Sequence, residues 1–106
     1  MIKNIILSKL TGALIKRYSP ERIIIFGSYA WGKPTKHSDI DIFIVKNTKK
    51  KPIERFAEVQ KLLYGLHESI PIEPLVLTPE ELNKRLALQD PFILRILKEG
   101  KTLYGQ

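Results

Sequence analysis

Ile23-Ile24-Ile25-Phe26-Gly27-Ser28-Tyr29-Ala30-Trp31-Gly32 is followed, after six residues, by Asp39-Ile40-Asp41-Ile42-Phe43-Ile44-Val45. The first four residues are a short apolar run, mostly β-branched, that stops at a glycine, which reads as a buried strand. Gly27-Ser28 then opens a turn or short helix through Trp31, and Gly32-Lys33-Pro34-Thr35 is loop chemistry. Ile40, Ile42, Phe43, Ile44 and Val45 make a second strand, with Asp39 and Asp41 at its start. Side chains two apart on a strand share a face. Ile40 and Ile42 therefore take the apolar face and leave two like charges side by side on the other. These repel unless a proton or a cation lies between them. The arrangement is poor for stability and suited to Mg²⁺, which binds through few carboxylates together with water and phosphate oxygens. Gly27 lets the backbone approach a ligand closely, the amides of the next turn can point at phosphate oxygens, and the Ser28 hydroxyl adds a donor. Each element alone has an ordinary explanation, a capped turn or a solvent-facing pair of aspartates. Their succession within one stretch is what singles them out.

Working outward, Ile2, Ile5, Ile6, Leu10, Ala13 and Leu14 recur at helical spacing and predict an amphipathic helix over about 2–18. Ser19-Pro20 closes it, because the proline ring disfavours helical backbone at Ser19. Lys46 to Lys51 is a basic, solvated connection. Ile53, Phe56, Ala57, Val59, Leu62, Leu63 and Leu66 suit a long helix over about 53–68. Ile70 to Leu77 is a third strand carrying Glu73, and Pro71 and Pro74 mark it as an edge or irregular strand. Thr78-Pro79-Glu80-Glu81 combines a threonine cap, proline at the first helical position and a glutamate placed to close a capping box. Asp90-Pro91 repeats the cap-plus-proline device and starts a last helix to about Glu99, ended by Gly100. The order predicts one small α/β (α+β) domain over 1–106, a mixed sheet of about three strands flanked by helices.

Composition narrows the chemistry. The 106 residues allow one small domain, so a large substrate would be gripped partly by another chain. Cysteine is absent, which excludes disulfides, thiolate nucleophiles and cysteine-based metal sites and accords with a cytoplasmic protein. No apolar run is long enough to span a bilayer, and the first residues lack a signal peptide's uninterrupted apolar stretch. The net charge of +7 favours polyanions, meaning nucleotide, nucleic acid or an acidic protein partner. Interleaved aromatics of a single-strand binding platform are not visible, and neither His37 nor His67 has zinc-site spacing.

The string GSYAWG-KPTKHS-DID, residues 27–41, resembles the signature of the nucleotidyltransferase superfamily, and most closely its minimal (MNT) domain group. The resemblance covers nearly the whole chain, with weaker support from Ile70 to Leu82 and from Leu103-Tyr104-Gly105. It implies a third carboxylate on a neighbouring strand, a role that falls to Glu73. It further implies that Asp39, Asp41 and Glu73 hold two Mg²⁺ ions, that Gly27 and Ser28 bind a nucleoside triphosphate such as ATP, and that a nucleoside monophosphate is transferred to a hydroxyl. Many relatives carry arginine where this chain has Trp31; Lys33 and Lys36 are alternative sources of charge for the triphosphate. The resemblance also implies a HEPN-domain partner, a toxin that the MNT chain neutralises as an antitoxin by adenylylating a tyrosine. Nucleic acid is not expected as a direct substrate, and a homo- or hetero-oligomer is compatible with the small size. Two other functions remain open at the level of the residues: a module that neutralises its partner by contact alone, and a small-molecule transferase similar to the aminoglycoside nucleotidyltransferases.

Overall fold

The isoleucine-rich runs become the middle of a sheet covered on both faces. The computed structural model describes residues 2–35, 37–66 and 70–105. Along the chain run α1 (Ile2–Tyr18), β1 (Arg22–Phe26), α2 (Ser28–Trp31), β2 (Ile40–Val45), α3 (Pro52–Leu63), β3 (Ile72–Leu77), α4 (Pro79–Ala87), α5 (Pro91–Glu99) and β4 (Lys101–Tyr104). The sheet order is β3-β2-β1-β4. β1 is antiparallel to β2 and to β4, while β2 and β3 run parallel with α3 as their crossover.

Period-two alternation sorts the central strands between two apolar layers. Ile23, Ile25, Ile40, Ile42 and Ile44 pack with Leu10 and Leu14 of α1 and Val59 and Leu63 of α3. Ile24, Phe26, Phe43 and Val45 face the other way, onto Leu82 of α4 and Ile93 and Ile96 of α5. Because both layers are filled, β1 and β2 read as continuous apolar runs. On the second face the pattern breaks at Arg22, at the outer end of β1, and at acidic Asp41 near the start of β2.

β3 is an edge strand, as its two prolines required, and its register runs unbroken from Ile72 to Leu77 through Pro74. The two helix starts form as read. Thr78 Oγ1 accepts from the Glu81 amide at 3.1 Å while the Glu81 carboxylate accepts from the Thr78 amide at 2.9 Å. Asp90 accepts from the amides of Phe92 and Ile93.

Three expectations are corrected. The sheet has four strands rather than about three: Gly100 ends α5 and the chain turns straight into β4, whose residues are mostly exposed and so show no alternation. Helix α3 ends at Leu63, not near 68. The chain turns through Tyr64 to Leu66, with Gly65 at φ 83°, a value that favours glycine, and His67 lies outside the described residues. The face of α3 is also rotated from the one expected. Val59 and Leu63 are buried, but Ile53 is 77 % exposed and its place inward is taken by Arg55. The Arg55 guanidinium donates to Lys50 O, Val76 O and both Glu81 carboxylate oxygens, joining α3, β3 and α4.

Candidate active site

Gly27 ends β1 with φ 74° and ψ −154°, a conformation that L side chains rarely adopt. A Cβ placed there would lie 2.1 Å from Oδ2 of Asp41. The Asp41 carboxylate therefore rests against the bare α-carbon of Gly27, a contact that no other residue at position 27 permits. Helix α2 starts at once: the amides of Ala30 and Trp31 both donate to Gly27 O at 2.9 Å. The Ser28 amide precedes the first of these bonds, as helix geometry demands.

The loop into β2 is fixed by its own polar groups. The Thr35 amide donates to Ser38 Oγ at 2.8 Å and the Ser38 amide returns a bond to Thr35 O at 3.1 Å. This turn delivers Asp39, half-buried, immediately before β2 begins. Asp41 then pairs with Phe26 across β1 and with Glu73 across β3. Cross-strand partners share a face, so Asp39, Asp41 and Glu73 lie on the same side of the sheet, opposite the α1 and α3 layer. Asp41 is held above the ordinary carboxylate range, first by burial and then by the negative charges of Asp39 and Glu73. Asp39 and Glu73 thus both bear on Asp41.

Among the described residues no group of three or more acidic or histidine side chains is gathered closely enough to enclose an ion. Mg²⁺ does not ask for that. It keeps several waters and binds through one or two carboxylates plus substrate phosphates. The donor set of hard oxygens, with Asp41 raised by burial and then by its like-charged neighbours, fits such an ion.

The remaining expected residues differ in placement. Ser28 is partly buried at the head of α2, and Lys33 is exposed in the following loop. Lys36 lies outside the described residues. His37 is exposed in the turn. Sequence reasoning missed a wall beside the carboxylates. The Phe26 ring, on the strand residue paired with Asp41, meets Phe92 edge-on at 5.6 Å and Trp31 at 6.2 Å, and the Arg95 guanidinium lies 4.1 Å from the Trp31 ring centroid. The spacing of Phe92 and Arg95 on one helix face was visible; that this face meets Trp31 is a tertiary fact.

Comparison with known proteins agrees with this geometry. Residues 8–106 match the family described as Polymerase beta, Nucleotidyltransferase. The chain is similar to two proteins of Methanocaldococcus jannaschii, each named, provisionally, a protein adenylyltransferase. One is 33 % identical over 91 residues, covering 79 % of this chain and 58 % of the relative. The other is 36 % identical over 84 residues, covering 79 % of this chain and 78 % of the relative. The chain therefore spans little more than half the length of the first.

Proposed function

The chain belongs to the polymerase beta nucleotidyltransferase family, and from that premise we propose that it transfers AMP from ATP to a hydroxyl of a partner protein. The observation that supports this most is the Asp41 carboxylate, seated against Gly27 too close for any Cβ and under the negative charge of both Asp39 and Glu73. Such a cluster stores repulsion that a divalent cation relieves. In this reading Asp39, Asp41 and Glu73 would hold two Mg²⁺ ions, which would supply positive charge to the triphosphate. Gly27 and Ser28 receive the phosphates at the end of β1. The acceptor oxygen bonds to the α-phosphorus as the bond to the β-phosphate oxygen breaks. Pyrophosphate leaves, and the hydroxyl proton passes to a carboxylate, a role we assign to exposed Glu73. Rate acceleration is then mostly positioning and electrostatics.

A protein acceptor is supported by the naming of both relatives. The acceptor we propose is a tyrosine of a HEPN-domain toxin, with the chain acting as its antitoxin, as the MNT resemblance implies. Intact-mass measurement tests this. The chain is mixed with the partner, Mg²⁺ and each of the four nucleoside triphosphates, beside an Asp39→Asn, Asp41→Asn control. An increment of one nucleotide on the partner, absent in the control, is the expected result.

A contact-only module is the second reading, favoured by the exposed edge of β3. Two hollows adjoin there. One of about 440 Å³ is lined by Leu75, Leu77, Lys84 and Leu88, and one of about 390 Å³ by Ile53, Phe56 and Pro74. A tight complex with no mass increment, and full neutralisation by the double-asparagine variant, would establish it.

A further inference from the structure

Three carboxylates beside a triphosphate leave negative charge that bound Mg²⁺ does not fully balance, and further positive charge nearby would offset it. Several cations elsewhere on the chain are engaged within it. Arg55 is buried against Glu81, Arg85 pairs with Asp90 at 2.9 Å, and Lys50 pairs with Glu58. Arg95 differs. Its one ion pair among the described residues is a 3.4 Å contact with Glu99 one turn along the same helix, with both side chains about half exposed. Such a pair contributes little. Yet Arg95 is fixed, because its guanidinium lies over the Trp31 ring at 4.1 Å. A guanidinium held over a ring keeps its N–H donors at the rim; Nε of Arg95 donates to Glu99 at 3.4 Å, and its two terminal nitrogens supply the open donor edge. Trp31 closes α2, the helix that opens at Gly27, and rests on Phe26, the strand partner of Asp41. The free donor edge therefore stands on the face of the sheet that bears the carboxylates.

We propose that Arg95 binds the triphosphate of the nucleotide, and that Trp31 is the positioning residue that holds it there. This rests on the nucleotidyltransferase reading and extends it to a helix that the Gly-Ser and Asp-x-Asp signature does not include. The ligand chemistry is phosphate, so the nucleobase contributes nothing at this point.

Trp31 is the chain's single tryptophan, so its emission reports on this contact directly. The full chain is titrated in Mg²⁺ with ATP, GTP and inorganic tripolyphosphate, with calorimetry in parallel. All three ligands are expected to shift wild-type emission. Arg95→Ala should weaken ATP and tripolyphosphate binding about tenfold, the scale of a lost charge-assisted hydrogen bond. Arg95→Lys should recover only part, lacking the planar fork. By calorimetry Trp31→Phe should bind nearly as wild type and Trp31→Leu should resemble Arg95→Ala, with unchanged melting temperatures throughout. Wild-type ATP affinity in Arg95→Ala, or calorimetric binding with no change in Trp31 emission, would overturn the inference and leave the nucleotidyltransferase reading standing. No ATP binding by wild type would remove both.

Discussion

β3 has a charged cluster at each end, and the two are built on opposite rules. At its start Glu73 lies beside Asp41, with Asp39 close by, three charges of one sign with Asp41 held above its usual range. At its end Arg55 is buried and bonded to Val76 O, while Glu81 accepts both from the guanidinium and from the Thr78 amide. Glu81 is accordingly drawn below the usual carboxylate range, chiefly by the Arg55 hydrogen bond. One cluster closes its electrostatic balance within the chain; the other leaves it to be closed from outside. Charge satisfied internally fixes three elements together. Charge left unsatisfied at the mouth of a sheet is what the proposed nucleotide site is built on.

The sharpest way to break the contrast is Asp41→Asn. It should lower the rate of nucleotide transfer about a thousandfold, the scale of several kcal/mol of metal-borne charge stabilisation, read in a single-turnover assay. Glu81→Ala is the counterpart at the other end. It leaves a buried guanidinium without its carboxylate and removes a capping box, and should cost about 3 kcal/mol in urea unfolding. Equal loss of stability in both variants would erase the distinction. Gly27→Ala forces a side chain onto Asp41 in a backbone region hostile to it. It should destabilise by about 1–2 kcal/mol and reduce Mg²⁺ affinity. The smallest effect has the opposite sign: in metal-free protein Asp41→Asn should gain about 0.5 kcal/mol, the worth of removing a like-charged cross-strand neighbour.

Acid sharpens the comparison further, with signs that follow from linkage. The lowered Glu81 contributes stability above its unfolded value, near pH 4, and this is lost as pH falls through its folded value. The raised Asp41 carries a penalty that is full above its folded value and relieved as pH falls from there toward its unfolded value, also near pH 4. The stability gap between Asp41→Asn and wild type should therefore close in acid, whereas that between Glu81→Ala and wild type should shrink because wild type weakens. Urea melts between pH 7 and pH 3 without Mg²⁺ separate the two.

What could be read from the sequence follows the range of the interactions. Gly27, Asp39 and Asp41 were legible because their constraints are local: a glycine ending a strand, and two residues of one face. Glu73 emerged from resemblance and from being the sole acidic residue of its strand, and the register with Asp41 places it. Arg55 was not legible, since an arginine at a helix position among isoleucine and phenylalanine reads as solvent-facing until Val76 O and Glu81 are known to lie opposite. β4 was missed because exposed Lys101 and Thr102 show no alternation, and Arg95 because its partner Trp31 sits on a different element far along the chain.

The pairing of β4 with β1 sets an order of events in synthesis. β1 leaves the ribosome early, and its outer neighbour only after every other strand has emerged. Until then the strand that ends at Gly27 presents an unpaired edge, with Ile24 and Phe26 still waiting for α5 to cover them. Exposed edges and uncovered apolar residues are where nascent chains pair wrongly. The outer edge of β1 is thus the last part of the sheet to be covered, and a half-made chain is an aggregation hazard until α5 and β4 close over it.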